Sequence, residues 1–270
     1  MVTDFEFDGI ELSSFGYAIV SFDNIKGDEI TTDSKFTFNH ISTNNGKQQP
    51  FATSTYDDPL EMNFYIAKNI CEDNNAFKEK SYLISVGDMA MLKRWLVRAT
   101  PKKLRVNDEE YRGIFWNGSF NVEEYVFGNE RIGAKLTFEC DAPFGYKETV
   151  TFKGALSSNG SYSYNCISDE IGWIYPTLKV KVLQDGDLKI TNSSDGRDIV
   201  VKNCVANEVI TFSDGLQIST SSETHKIAND FNYEFYRVNN EYNSIENTIE
   251  SNLPIEFEIE YSPYAKVVAV

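Results

Sequence analysis

Apolar side chains recur at every second position through most of this chain, which restricts those segments to strands with one buried face. Phe36 and Phe38, Phe64 and Ile66, Leu136 and Phe138, and Leu178, Val180 and Val182 each set their apolar groups on one side of an extended backbone. A helix would scatter the same positions around its circumference. Turn chemistry agrees with the pattern. Asp185-Gly186 separates residues 178–183 from 188–190, and Asp214-Gly215 separates 209–212 from 216–218. An Asp-Gly pair suits the positive φ of a tight turn, so the spacing predicts two β-hairpins in the second half.

One segment departs from period two. Residues 85–99 place Met89, Leu92, Leu96 and Ala99 on one helical stripe, with Trp95 and Val86 beside it, and predict the single helix of the chain. Ser85 with Asp88 three positions later has the spacing of a capping box, Lys93, Arg94 and Arg98 suit the negative helix end, and Pro101 is the expected stop. Residues 39–59 hold Asn44-Asn45-Gly46, two glutamines, Pro50 and Pro59 with little apolar periodicity, and read as a long loop or extended arm. Residues 153–165 are rich in Gly, Ser and Asn, so the division between two domains is expected just before or within them, giving domains of 1–150 and 151–270.

Composition limits the function. With 25 Lys and Arg against 41 Asp and Glu, the net charge of -16 repels phosphate backbones and anionic membranes, which argues against specific nucleic-acid binding. No apolar run approaches the roughly 20 residues a membrane helix needs, and the acidic Met1–Gly9 stretch does not resemble a secretory leader. Membrane insertion and export by that route are therefore not expected.

Candidate chemistry is sparse. Cys71, Cys140, Cys166 and Cys204 have no close pair among them and are expected as reduced, mostly buried thiols, with neither a zinc framework nor a redox motif. His40 and His225 are the two histidines, and both read as structural or exposed rather than catalytic. The acidic pairs Asp57-Asp58, Glu109-Glu110 and Glu123-Glu124 do not single out a glycosidase dyad in so acidic a chain. Asp185, Asp187, Asn192, Asp195 and Asp198 cluster around turns but lack the spacing of a regular calcium loop. No phosphate-binding glycine loop or hydrolase motif is present, so no catalytic residue, metal or cofactor is assigned. Functional weight falls on surfaces. Tyr125, Phe127, Tyr162, Tyr164, Trp173, Tyr175, Tyr233, Phe235, Tyr236 and Tyr242 are the candidates for contact or stacking platforms, against the alternative of core packing.

Several segments together carry a family likeness. Phe5-Glu6-Phe7-Asp8-Gly9 and Ser14-Phe15-Gly16 open the chain, and Asp57-Asp58-Pro59-Leu60 leads into a strand. Arg94-Trp95-Leu96 lies on the helix, followed by Lys103-Leu104-Arg105-Val106-Asn107-Asp108 and Tyr111-Arg112-Gly113. The half closes with Leu136-Thr137-Phe138-Glu139-Cys140-Asp141-Ala142-Pro143-Phe144-Gly145-Tyr146. In this order they resemble the distal tail protein family, the tail hub of long-tailed phages. The second half is similar more loosely, through Pro176, Asp185-Gly186, Asn207-Glu208 and the final strand at 255–261.

The resemblance implies a mainly β chain: an N-terminal β-sandwich-like ring domain with one α-helix, then a C-terminal galectin-like β-sandwich. It implies a structural virion protein, with no enzymatic activity, that forms a homo-hexamer. That ring would join the tail tube protein to a tail-associated lysin or tip protein and offer docking to a receptor-binding protein. The net charge of -16, rather than the resemblance, suggests an acidic lumen through which DNA would slide without sticking. Assembly would take place in the bacterial host cytoplasm. About 120 residues after the boundary leave room for one sandwich and no added module. Two other classes stay open: a carbohydrate-binding module or adhesin stacking sugars on Trp173, Tyr175 or Tyr236, and a glycosidase using two carboxylates.

Overall fold

The computed structural model describes residues 3–22, 28–30, 36–40, 51–56, 58–70, 80–241 and 245–266. Cys71, Asp57, Tyr242 and the Asn44-Asn45-Gly46 turn lie outside the described residues. Two compact units divide the chain, Met1–Tyr146 with Ala265–Val270, and Lys147–Tyr264.

The first unit contains β1 (Phe5–Phe7), β2 (Ile10–Glu11), β3 (Tyr17–Ile19), β4 (Asp28–Ile30), β5 (Phe36–His40), β6 (Phe51–Tyr56) and β7 (Glu61–Lys68). Helix α1 (Val86–Leu96) follows, then β8 (Lys102–Val106), β9 (Ile114–Phe127), β10 (Glu130–Cys140) and β11 (Gly145–Lys147). The main sheet runs β2-β1-β8-β9-β10-β7-β3, with β4 also against β7. Its core is aromatic: Phe5, Phe7, Phe64, Trp95, Trp116, Phe120 and Phe138 are all buried, and Phe7 meets Phe120 and Phe138 edge-on at centroid distances of 5.1 and 6.2 Å. Edge-on pairs add to the burial energy because ring edges and faces carry opposite partial charge.

Strands β9 and β10 form a long hairpin in which Glu130 faces Phe127 and Cys140 faces Gly118. Strand β8 pairs with β9 only from Trp116 to Gly118. Beyond that point α1 lies against β9, and the Arg98 N–H donates to the Ser119 hydroxyl at 2.9 Å.

The helix begins as its sequence dictates. Ser85 caps it, its hydroxyl accepting from the Asp88 N–H at 3.1 Å while the Asp88 carboxylate accepts from the Ser85 N–H at 2.9 Å. Met89, Leu92, Trp95 and Leu96 form the buried face. Two expected members do not: Val86 is 69% exposed, and Ala99 lies beyond the helix, which ends at Leu96, well before Pro101. The stripe drifts because 3.6 residues per turn carries position 86 off the face defined by 89, 92 and 96.

Residues 39–59 are not a plain loop. Strands β5 and β6 pair antiparallel, Phe36 opposite Tyr56 and His40 opposite Phe51, as a separate two-stranded sheet. Their mixed polar sequence hid the period, since Thr53 and Thr55 favour strands without an apolar signature.

The second unit is built from β12 (Val150–Leu156), β13 (Gly160–Asn165), β14 (Gly172–Ile174), β15 (Thr177–Val182), β16 (Gly186–Asn192) and β17 (Asp198–Cys204). It continues with β18 (Val209–Phe212), β19 (Ile218–Thr220), α2 (Ile227–Asp230), β20 (Val238–Asn240), β21 (Glu246–Ser251) and β22 (Ile255–Tyr261), before β23 (Tyr264–Ala265). One sheet runs β12-β22-β15-β18-β19 and the other β13-β21-β16-β17. Leu178, Val180, Ile210, Phe257 and Ile259 of the first share a core with Leu188, Ile190, Val201 and Ile249 of the second. That is two sheets packed face to face over alternating apolar residues. The turn α2 corrects the expectation of a single helix; four residues are too short to show a helical period.

Residues 153–165 form most of β12, a turn, and β13, which carry the chain from one sheet to the other. One sequence expectation changes here. The Asp185-Gly186 turn is likewise a crossover, because β15 pairs with β18 and β22 while β16 pairs with β17 and β21. Asp-Gly fixes the sharp bend, with Gly186 at φ 148°, but does not choose the partner strand. The Asp214-Gly215 turn does close a hairpin, Phe212 facing Ile218. A further hairpin closes at Asp195-Gly196, with Gly196 at φ 70° and Thr191 facing Asp198.

Candidate interaction surfaces

The proposed chemistry-bearing residues scatter. Cys140, Cys166 and Cys204 carry free, buried thiols. Burial pushes the Cys204 thiol up to about 11 and that of Cys140 higher still, which keeps both in the unreactive protonated form. The turn carboxylates are engaged separately: Asp185 accepts from the Ala206 N–H, Asp187 from the Asn203 N–H, and Asp198 from Thr191 and Lys189. Among the described residues no group of three or more acidic, His or Cys side chains is arranged to hold a metal ion. The side chain of His40 is outside the described groups.

His225 has a structural partner that sequence reasoning missed. Its Nδ1 lies 2.6 Å from Oε1 of Glu208, whose side chain is completely buried. Glu208 also accepts from the Thr220 hydroxyl and from the Val205 N–H at 3.0 Å. Burial alone would raise this carboxyl, but the bonds from Thr220, Val205 and His225 outweigh it and hold it below the usual carboxylate range. This arrangement ties the residues ahead of α2 to the start of β18.

The aromatic candidates divide. Tyr236 and Tyr164 are buried and share a hydroxyl contact of 3.0 Å, so Tyr236 is core and not a stacking platform. Trp173 is half-buried, with the Arg237 guanidinium 4.0 Å from its ring centre. Arg237 is fixed there by a two-pronged bond to Asp195 at 2.6 and 2.8 Å, and Asp195 also binds Arg197 at 2.8 Å. One face of the indole is therefore already stacked on a tethered cation. Tyr175, Tyr162 and Phe235 are half-buried, and Tyr233 is 65% exposed with its hydroxyl bonded to the Ala228 carbonyl. Tyr125 stacks on Phe22 at 4.3 Å, leaving Phe127, 72% exposed, at the hairpin tip.

Two surfaces of the first unit stand out. The outer face of α1 exposes Val86 and Met91 together with Lys93 and Arg94, and Val97 is exposed just past its C-terminal end. Ahead of α1 the Ile84 N–H donates to the Arg131 carbonyl at 3.0 Å, and Arg131 faces Val126 near the hairpin tip. Elsewhere on the unit a groove of about 440 Å³ is bordered by β1, β8 and the turn before β9. Asp4, Glu6, Glu11, Asp108 and Glu109 line it, against Arg105 and Arg112.

Residues 1–142 match a family model described as a phage tail protein N-terminal domain, and residues 144–261 match one described as a phage tail C-terminal domain. The crystal structure of the Dit protein of phage SPP1, titled a paradigm of hub adsorption apparatus in Gram-positive infecting phages, superposes with a TM-score of 0.69 at 11% identity. That match covers 97% of this chain and 99% of the Dit chain. No curated protein matches. The chain thus has the fold of a Dit protein, and by its two family models it belongs to a family of phage tail proteins.

Proposed function

We propose that this tail protein is the distal hub of its virion, acting without catalysis as a homo-hexameric ring between the tail tube and the tip proteins that meet the host. One observation carries the reading: the likeness to a protein described as a hub extends over nearly the full length of both chains. In this reading the first unit closes the ring, with the β5–β6 hairpin as an arm that embraces a neighbour. The second unit, a galectin-like sandwich, projects outward to dock receptor-binding proteins. Shape and closure do the work, because six identical head-to-tail contacts stabilise one another. The acidic character of the chain suits a lumen through which DNA slides without sticking. Native mass spectrometry and negative-stain microscopy of the purified full chain test the assignment. A six-subunit ring is expected, and a monomer at every accessible concentration would overturn it.

A further inference from the structure

The hub reading leaves open which surfaces meet around the ring, and the first unit carries two that complement each other. On α1, Lys93 and Arg94 form no ion pair among the described residues, although the chain has 41 acids for 25 cations. They sit among Val86, 69% exposed, and Met91, 43%, on the face turned away from Leu92 and Trp95, with Val97, 49%, just past the helix end. Apolar anchors beside unpaired cations are what a desolvated contact with an acidic surface requires.

The groove supplies the opposite character. Five carboxylates line it against two guanidiniums, and one of those, Arg105, already faces Glu6 at 3.4 Å. Glu11 and Glu109 form no ion pair among the described residues, and Val106, Tyr111 and Ile114 contribute apolar lining.

The two surfaces lie on different elements of one molecule: the groove is lined from β1, β2, β8 and the turn before β9, and neither Lys93 nor Arg94 on α1 forms an ion pair with its carboxylates among the described residues. A patch and its complement at separate places on one subunit are the condition for a head-to-tail contact between copies.

Resting on the hub reading, we propose that the outer face of α1 in one copy docks into the acidic groove of a second copy. Lys93 and Arg94 then oppose Glu11 and Glu109, and Met91 and Val97 cover the apolar lining. The occupant is a second copy because the chain itself presents both halves of the charge pattern.

Charge reversal on each side, singly and together, tests this in the full chain. K93E/R94E and E11K/E109K alter exposed positions, and circular dichroism verifies that each variant folds. Each is expected to raise the concentration for half-assembly at least tenfold by native mass spectrometry, and the fourfold variant is expected to recover most of the loss. Rings of K93E/R94E and E11K/E109K as stable as wild type would overturn the docking while leaving the hub intact. Loss in both without recovery in the fourfold variant would show that the two faces do not meet each other. A wild-type chain that never assembles would remove both readings.

Discussion

The indole N–H of Trp95 donates to the carbonyl of Phe7 at 3.2 Å, joining α1 to β1 across 88 residues of sequence. Both side chains are buried, and the Trp95 ring also packs on Phe15 at 4.5 Å and on Phe5 at 6.1 Å. Trp95→Phe keeps the aromatic packing but removes a buried hydrogen bond to the Phe7 carbonyl and leaves a small void. A loss of about 2 kcal/mol is expected, read from chemical denaturation followed by far-UV circular dichroism.

Gly118 is required by close approach between strands. A Cβ added there would lie 2.1 Å from the Glu139 carbonyl oxygen and 2.7 Å from the Phe138 ring. Backbone cannot yield as a flexible side chain does, so β9 and β10 would have to part. Gly118→Ala is expected to cost at least about 3 kcal/mol. A denaturation midpoint equal to wild type would contradict the packing described.

Glu208 gives the second unit an acid-sensitive element. Its folded carboxyl lies below the usual range, so its contribution to stability is present above the unfolded value of about 4.3 and is lost as pH falls through the folded value. Glu208→Gln is expected to lower stability near neutral pH by about 1–3 kcal/mol, since the bonds from Thr220, Val205 and His225 lose their charged acceptor. The two proteins should then converge as pH drops below about 4. Parallel urea titrations across pH would expose a constant difference, which would exclude the charge as the cause.

The hairpin between β18 and β19 holds strain at a residue that can be relieved. Leu216 has φ 56° and is 49% exposed, while the adjacent Gly215 does not have positive φ. The left-handed conformation costs a branched residue roughly 1–2 kcal/mol. Glycine removes that penalty at some cost in chain entropy, so Leu216→Gly is expected to gain about 0.5 kcal/mol in the same unfolding assay.

How much was legible in advance depended on how local the signal was. The Ser85-Asp88 cap and the buried face of α1 were readable because each involves neighbours within one or two helical turns. The Asp214-Gly215 hairpin was readable for the same reason, but the identical dipeptide at 185–186 misled, since it bends the chain equally well between two sheets. The pairing of β5 with β6 escaped notice because threonine favours strands without marking a buried face. Among candidate site residues, Glu208 looked like any of 41 acids, and nothing nearby announced its burial beside His225.

By itself the amino-acid sequence settled the β class, the capped helix and the excess of negative charge. Each rests on residue type, spacing or a sum over residues, and none needs a distant partner. Only the tertiary structure decided which strands pair and that Arg237 covers Trp173. It alone also placed Lys93 and Arg94 with exposed apolar groups on the outer face of α1. Alternation specifies a buried face and a turn specifies a bend, but the choice of neighbour comes from packing two apolar layers against each other, which is a property of the whole chain at once.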